Sequence, residues 1–156
     1  MTHLSPAKIN LFLHVISKKD DGYHNLQTIF QLLDYGDEIS FNYRKDGQIN
    51  RIYGNEDIPQ DKDLILRSAN ALKEISGTKD GVDIGVIKNI PTGSGLGGGS
   101  SNAATVLIAL NDLWSLKLSK SELLKIGQTL GSDVPIFISG QSSWAEGTGE
   151  ILTPIS

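Results

Sequence analysis

Hydrophobic and polar residues alternate through much of the first third of the chain, which is the pattern of half-buried β-strands. The alternation predicts a first strand over residues 9–16 and further strands over 26–33, 38–43 and 49–53. Turns are expected at 34–37 and 45–48, and the Asp46-Gly47 pair in the second turn predicts a β-hairpin. In the first strand, one predicted face consists of Ile9, Leu11, Leu13 and Val15, and the other of Lys8, Asn10, Phe12 and His14.

The rest of the chain combines helical and strand periods. Apolar residues at helical spacing predict helices over 64–75 and 103–114, and the first should end before Gly77. A third helix should begin at the capping box Ser119-Lys120-Ser121-Glu122 and end at Gly131. Strands are expected at 82–86, 142–146 and 151–152, with the last two forming a hairpin. Together the elements predict a single α+β domain over residues 1–156, with a mixed or antiparallel sheet and helices on one side.

A glycine-rich stretch, Pro91–Asn102, separates the strand predicted at 82–86 from the helix predicted at 103–114. Glycine lets the backbone fold so that several N–H groups point at one spot. A helix that starts directly afterwards adds unpaired N–H groups and the positive end of its dipole. The stretch therefore predicts an anion site, most naturally for phosphate, whereas a flexible linker is not expected to run straight into an amphipathic helix.

Three kinds of phosphate loop contain glycine-rich stretches of this type. A Walker loop needs a lysine directly after its last glycine, and the chain has none there. The dinucleotide fingerprint G-x-G-x-x-G is matched by Gly93, Gly95 and Gly98, but the nearest acidic residue at the required distance, Asp112, lies inside a helical pattern. The third kind, the ATP loop of small-molecule kinases, fits the whole run best.

Composition and charge limit the classes of partner. The chain has 156 residues and a formal net charge of −4, and no cluster of lysine and arginine suggests a nucleic-acid surface. It contains no cysteine, which excludes disulfides and thiolate metal sites. We find no signal-peptide pattern and no apolar run of membrane length, so we expect no membrane partner and a cytoplasmic location.

A few side chains outside the glycine-rich stretch are candidate catalytic or binding residues. Lys8 and Asn10 would present a cation and an amide on one strand face, although the same pattern fits the solvent face of an edge strand. Asp133 precedes a proline at the predicted start of an element, where a carboxylate is often only a helix N-cap. Tyr23 and His24 follow a polar turn, and their rings can either stack on a base or cover the sheet edge.

Six separated motifs together resemble those of the GHMP small-molecule kinases. Besides the glycine-rich stretch, they are Ser5–Leu13 (SPAKINLFL), Asp21–His24 (DGYH), Leu33–Asp37 (LDYGD), Leu130–Pro135 (LGSDVP) and Ala145–Glu150 (AEGTGE). The resemblance extends from Ser5 to Pro154. It implies the fold of that family's N-terminal domain, which is an α+β fold like domain 2 of ribosomal protein S5.

The resemblance also implies an activity, the ATP-dependent phosphorylation of an alcohol. The implied substrate is a cytidine diphosphate derivative of methylerythritol, phosphorylated on its 2-hydroxyl in the non-mevalonate route to isoprenoid precursors. ATP is the implied cofactor, with Mg²⁺ bound to its phosphates and no metal site made of side chains. Asp133 matches the family's catalytic acid and Lys8 its partner lysine, and this pairing suits the removal of a hydroxyl proton.

Binding residues follow from the same resemblance. Lys88 matches a position near the adenine, Asn10, Tyr23 and His24 match substrate contacts, and Phe30 is expected to form a wall beside the substrate. The phosphates are expected to bind, through backbone N–H groups, the loop made of Pro91, Thr92, Gly93, Ser94, Gly95, Leu96, Gly97, Gly98, Gly99, Ser100 and Ser101.

Two features depart from the family pattern. Asp63 replaces an asparagine that lies near the adenine in the family, and an ionised aspartate cannot donate a hydrogen bond. The family chain continues into a second domain that completes the site, so residues 1–156 are expected to be the N-terminal ATP-binding domain, inactive and prone to self-association on their own. A nucleotide-binding module without turnover and a dinucleotide-dependent oxidoreductase domain remain as alternatives.

Overall fold

Two long strands, β1 (Thr2–Lys18) and β2 (His24–Arg44), organise the sheet. The computed structural model describes residues 1–22, 24–147 and 151–155, and for His24 and Asn25 it describes the backbone only. Within these residues, six strands form one sheet. The shorter strands are β3 (Ile49–Tyr53), β4 (Gly81–Ile87), β5 (Ser143–Gly147) and β6 (Ile151–Pro154).

The length of β2 allows it to pair with two different strands along one edge. Residues 38–44 of β2 pair antiparallel with β4, and residues 26–30 pair antiparallel with β5. β1 pairs antiparallel with β2 over nearly its whole length. The strand order is β3-β4-β2-β5-β6, and β3 is parallel to β4, so the sheet is mixed.

The core lies between the helices and one face of β2 and β4. The helices in the described part of the chain are α1 (Leu64–Ser76), α2 (Gly98–Leu113), α3 (Lys120–Leu130) and α4 (Val134–Ser139). α2 is the most deeply buried, and its Val106, Leu107 and Leu110 belong to the same apolar cluster as Ile39 and Ile84 of the sheet. The α+β fold predicted from the hydrophobic pattern is confirmed.

Helix ends agree well with the predictions made from capping residues. α1 ends at Gly77, which has a φ of 70° and donates its N–H to the carbonyl of Lys73. α3 begins after Ser119, whose Oγ accepts the N–H of Glu122 at 3.1 Å. Both ends depend on contacts within a few residues, which is why the sequence alone predicts them.

The turn predicted at 34–37 is wrong, because β2 runs through these residues without a break. Pro6 pairs with Gly36 and Lys8 pairs with Leu32, so β2 contains two more residues than β1 at this point and bulges. Glycine is required in the bulge because a Cβ at Gly36 would lie 2.0 Å from the carbonyl oxygen of Ser5. The residues that resemble a turn form a bulge instead of reversing the chain.

The hairpin predicted around Asp46-Gly47 is also wrong. A local turn does form there, with Asp46 accepting the N–H of Gln48 at 3.1 Å, but β3 then pairs with β4 and not with β2. β4 occupies the place next to β2, where its Val82 and Ile84 are completely buried. The turn residues specify a change of direction, whereas burial of the more apolar strand decides which strands become neighbours.

A further irregularity changes the predicted faces of β1. Asn10 pairs with Phe30 and Leu13 with Thr28, so Leu13 lies on the same face as Asn10 although strict alternation separates them. The prediction of opposite faces for these two residues is therefore wrong. Leu13 and Val15 are 54% and 57% exposed, so the apolar end of this strand is not covered by the described residues.

Candidate active site

The glycine-rich stretch forms one wall of a pocket of about 350 Å³ at the N-terminal end of α2. Opposite walls come from Asn55, Ile58 and the residues 62–65 that lead into α1. Lys88, Ile90 and Asn102 also line the pocket. All the predicted nucleotide residues except Leu96 and Ser101 thus line one pocket, together with several that the sequence did not indicate.

α2 begins at Gly98, five residues earlier than predicted, so the end of the glycine-rich stretch is the first helical turn. Before it, Gly93, Gly95 and Gly97 have φ values of 73°, 78° and 75°. At Gly95 an added Cβ would meet nothing within 4 Å, so the left-handed backbone, not crowding, requires glycine. The first amides of α2 have no carbonyl partner within the helix, and with the helix dipole they favour an anion here.

Gly97 brings the loop against β1 and α4. A Cβ at Gly97 would lie 2.8 Å from Cζ of Phe137 and 3.1 Å from Cγ of Lys8. The backbone N–H of Lys8 also donates to the carbonyl of Leu96 at 2.9 Å. Lys8 is therefore fixed directly beside the glycine-rich loop.

The ammonium group of Lys8 is held in a polar chain across the sheet. Only 6% of Lys8 is exposed, and its Nζ donates to Oδ1 of Asn10 at 2.5 Å. Asn10 in turn donates to Oγ1 of buried Thr28 at 2.9 Å, a contact that the sequence did not predict. Phe30 lies below the ammonium, 5.4 Å from Nζ to the ring centroid, and is 3% exposed. In this structure its ring supports Lys8 and offers little surface to a ligand.

Asp133 is at the N-cap position of α4, but its side chain makes no capping hydrogen bond. Among the described residues we find no hydrogen bond or ion pair to its carboxylate, so neither a cap nor a direct pair with Lys8 occupies it. Phe137, four residues later and on the same helix face, contacts the position of Gly97 beside Lys8. Helix α4, which begins directly after Asp133, therefore packs through Phe137 against the same glycine that contacts Lys8.

Asp37 makes the densest polar contacts near the pocket. It is completely buried, and its Oδ1 accepts the backbone N–H groups of Asn89 and Ile90 at 2.6 and 2.8 Å. Its Oδ2 accepts Nζ of Lys88 at 2.6 Å and Nδ2 of Asn102 at 3.0 Å. Burial alone raises the pKa of Asp37, but these four donors outweigh it and hold the pKa below the usual value.

The network around Asp37 corrects the prediction for Ser101. The hydroxyl of Ser101 is buried and lies 2.9 Å from Oγ of Ser5, while its N–H donates to the carbonyl of Gly97 at 2.8 Å. Both polar groups are used inside the protein, because the N–H of Ser101 closes the first turn of α2 and is no longer available to a ligand. Leu96 likewise donates its N–H to Oγ of Ser94 and does not line the pocket, so residues 91–95 and 97–100 remain as the candidate phosphate contacts.

Asp63 also has a structural role in this chain. Its Oδ1 accepts the N–H of Ile65 at 2.9 Å, which caps α1, and its Oδ2 forms an ion pair with Arg51. Asp63 is 1% exposed, so the pair with Arg51 offsets the cost of burying its charge.

Other predicted features fall outside the described residues. Tyr23, the side chain of His24 and the turn at 148–150 are not described.

Within the described ranges, no three His, Asp or Glu side chains are grouped so that they could hold a metal ion. No helix in the same ranges is long and apolar enough to cross a membrane.

Residues 63–141 match the family described as GHMP kinases N terminal domain. The match covers half of the chain and includes α1, the glycine-rich loop and Asp133. The chain belongs to the GHMP kinase family.

Individual relatives of the chain are named as one particular kinase of this family. The chain is 59% identical, over 154 residues, to the 4-diphosphocytidyl-2-C-methyl-D-erythritol kinase of Ruthia magnifica, covering 99% of this chain and 54% of the relative. The kinase of that name from Cupriavidus metallidurans is 53% identical over 152 residues, which are 97% of this chain and 52% of the relative. The chain thus spans about half the length of the curated relatives it matches.

Solved structures of small-molecule kinases superpose on this chain. A crystal structure of 4-(cytidine 5'-diphospho)-2C-methyl-D-erythritol kinase superposes with a TM-score of 0.83 at 39% identity, over 100% of this chain and 55% of that one. The mevalonate kinase of Methanococcus jannaschii superposes with a TM-score of 0.71 at 15% identity, over 100% of this chain and 56% of that one, and shows the shared fold only. The dinucleotide-binding alternative is wrong, because β4, which leads into the glycine loop, is antiparallel to β2 and not part of a doubly wound parallel sheet.

Proposed function

We propose that this chain is the ATP-binding half of a kinase that phosphorylates the 2-hydroxyl of 4-diphosphocytidyl-2-C-methyl-D-erythritol. Such an enzyme would act in the cytoplasm, in the non-mevalonate route to isoprenoid precursors. The observation that carries the proposal is the pocket lined by the glycine loop, with Lys8 and helix α4, which follows Asp133, both in contact with the position of Gly97. The relatives at 59% and 39% identity support the substrate, since their names specify it.

The pocket fits the phosphates of ATP in shape and charge. Residues 92–95 and 97–100 supply backbone N–H groups, and the start of α2 adds the positive end of its dipole. Lys88 adds a cation to the pocket lining. Bound ATP would supply the transferable γ-phosphoryl group, and Mg²⁺ would neutralise its phosphate charge. We expect Mg²⁺ to bind chiefly to phosphate oxygens and water, because this ion gives up its water reluctantly.

Asp133 and Lys8 have complementary roles in the proposed transfer. The substrate hydroxyl oxygen forms a bond to the γ-phosphorus, the bond from that phosphorus to the β,γ-bridging oxygen breaks, and ADP leaves. The hydroxyl proton passes to the carboxylate of Asp133, whose oxygens have no partner among the described residues. The ammonium of Lys8, fixed by Asn10, stabilises negative charge on the reacting oxygens.

Substrate contacts are proposed along the middle of β1 and near the start of β2. Asn10 is exposed and already oriented by Lys8 and Thr28, so it can present its amide to the substrate. Tyr23 and His24 are proposed as contacts to the cytosine ring on the strength of the motif alone. Phe30 is proposed to act through Lys8, since its ring is buried beneath the ammonium.

A hybrid protein tests the proposed activity. In it, this chain replaces the matching 154 residues of the Ruthia magnifica kinase, with which it is 59% identical. We expect the hybrid to release ADP only when both ATP and 4-diphosphocytidyl-2-C-methyl-D-erythritol are present. A folded hybrid that binds ATP but does not turn over would contradict the proposed activity and favour a nucleotide-binding module.

The chain of 156 residues on its own provides the matching control. ATP should raise its melting temperature, because a ligand that binds only the folded state stabilises it, while NAD should not. We expect no ADP release from the chain alone, since phosphoryl transfer depends on positioning that relatives achieve with about twice the chain length. Turnover by the isolated chain at the rate of the hybrid would contradict the need for a second half.

A further inference from the structure

The motif Leu33–Asp37 has no place in the proposed contacts to ATP or substrate, yet its last three residues all bind the segment that leads into the glycine loop. The hydroxyl of Tyr35 donates to the carbonyl of Asn89. The carbonyl of Gly36 accepts Nδ2 of Asn89 at 3.0 Å, and Asp37 accepts the N–H groups of Asn89 and Ile90. The bulge in β2 therefore holds the two residues that immediately precede Pro91.

The second oxygen of Asp37 reaches the other end of the loop. Asn102, in the first turns of α2, donates to Oδ2 at 3.0 Å and also to Oγ of Ser5 at 2.9 Å. Lys88 donates to the same Oδ2 at 2.6 Å and to Oδ1 of Asn102 at 3.1 Å. One carboxylate thus connects both ends of the glycine-rich loop and the lysine on the pocket wall.

We propose that Asp37 is a positioning residue that fixes the glycine loop and Lys88 for nucleotide binding. This inference rests on the proposed function, because it concerns the same pocket. Asp37 does not contact the nucleotide itself, since it is completely buried and both oxygens are occupied by protein donors. It acts through Lys88, Ile90 and Asn102, all of which line the pocket.

The origin of the four donors favours a positioning role for Asp37 over simple stabilisation of the fold. A buried carboxylate is costly unless it is fully hydrogen-bonded, and replacing such a group with apolar residues is often neutral or stabilising. All four donors to Asp37 come from Lys88, Asn89, Ile90 and Asn102, within or beside the loop, and none comes from the large apolar core. Fixing these donors in advance removes an ordering cost that ATP binding would otherwise include.

The test compares Asp37→Asn with Asp83→Asn in the 156-residue chain. Asp83, in β4, is a matched control because it also accepts from a cation and an amide, Arg44 at 3.1 Å and Asn50 at 3.2 Å, but does not line the pocket. Binding of a non-hydrolysable ATP analogue is measured by calorimetry, well below each variant's melting temperature. We expect Asp37→Asn to weaken binding about 10- to 100-fold, as the loss of a charge-assisted hydrogen bond would, and Asp83→Asn to leave it unchanged.

Hydrogen exchange adds a measurement that a general loss of stability does not reproduce. Amides of residues 89–97 should exchange faster in Asp37→Asn, whereas those of β3 and the C-terminal half of α1 should not. Lys88→Met, whose parent side chain is partly exposed, tests the same network if Asp37→Asn does not fold. Because Lys88 also lines the pocket, the readout for this variant is faster exchange at residues 89–97 together with the loss of affinity. In the double variant the losses in affinity should be clearly less than additive, because both residues act through one contact.

The outcomes separate this inference from the proposed function. If the wild-type chain does not bind the ATP analogue, the proposed function itself fails and the inference with it. If the wild type binds but Asp37→Asn, or Lys88→Met in its place, binds equally well, the positioning role is overturned and the proposed function stands. Equal losses in Asp37→Asn and Asp83→Asn would also overturn it, because general destabilisation would then account for both.

Discussion

Two aspartates beside the same loop have opposite surroundings. Asp37 is completely buried and accepts four hydrogen bonds, all from residues at the ends of the glycine-rich loop. Asp133 is partly exposed at the start of α4 and has no hydrogen-bond partner among the described residues. One carboxylate is saturated by the protein, and the other is left available.

This difference in surroundings indicates which chemical role each carboxylate can have. A carboxylate whose lone pairs are all used cannot accept a substrate proton, but it can hold its donors in place. A carboxylate at a helix start that does not cap the helix keeps its oxygens for another partner. We therefore propose positioning as the role of Asp37 and proton transfer as the role of Asp133.

The largest effect is expected for Asp133→Asn in the hybrid enzyme. The amide cannot accept the hydroxyl proton, so kcat should fall by about two to four orders of magnitude. Binding of ATP to the variant should change little, because Asp133 is not part of the pocket lining. Steady-state ADP release and ATP calorimetry measure the two quantities. Retention of more than a tenth of kcat would restore the interpretation of Asp133 as a simple helix-start residue.

The effects on folding stability should have the reverse order, with a larger loss in Asp37→Asn than in Asp133→Asn. Asp37→Asn removes one partner of a buried ion pair and should lower the free energy of unfolding by about 3–5 kcal/mol. Asp133→Asn should change it by less than about 0.5 kcal/mol, because no contact among the described residues is lost. Urea unfolding of both variants measures this difference. Equal destabilisation would contradict the contrast between the two sites.

A smaller effect should distinguish two glycines of the loop. Gly97→Val would place a side chain about 3 Å from Phe137 and Lys8, at a φ of 75°, so both fold stability and ATP affinity should fall. Gly95→Ala has open space around it, so the strain of a left-handed alanine, about 1 kcal/mol, should be its main cost to stability. Melting temperatures with and without ATP compare the two. A fall in melting temperature as large for Gly95→Ala as for Gly97→Val would show that crowding at Gly97 is unimportant.

The smallest effect concerns pH. The pKa of Asp37 is lower in the folded protein than its usual value, so its contribution to stability is complete above the unfolded-state pKa, near 4, and is lost as the pH falls through the folded-state pKa. The difference in unfolding free energy between wild type and Asp37→Asn should be constant from about pH 7 to 5 and should shrink below about pH 4. Urea unfolding at pH 7, 5 and 3 measures it. If the difference in unfolding free energy between the two proteins instead grew as the pH fell, a lowered pKa for Asp37 in the folded protein would be contradicted.

Local signals in the sequence predicted much of the fold. The capping residues Ser119 and Gly77 fixed helix ends correctly, and the alternation in 82–86 identified β4. The wrong predictions concern how the strands pair. The bulge at Gly36 and the parallel pairing of β3 depend on contacts between segments far apart in the chain, which local turn residues do not encode.

The candidate site was predicted in a similarly uneven way. The glycine-rich loop carries its own backbone requirement, visible in the positive φ of Gly93, Gly95 and Gly97, so the sequence alone located it. Asp37 was visible only as part of a family motif, because its importance arises from donors more than fifty residues away.

The most direct test is a side-by-side kinetic comparison of Asp133→Asn and Asp37→Asn in the hybrid enzyme. With ATP as the varied substrate, the account predicts that Asp133→Asn lowers kcat by at least about a hundredfold with little change in the KM for ATP. It predicts that Asp37→Asn raises the KM for ATP by about tenfold or more and leaves kcat at saturating ATP nearly intact. The reverse assignment, with kcat lost in Asp37→Asn and only KM changed in Asp133→Asn, would contradict the division of roles between the two aspartates.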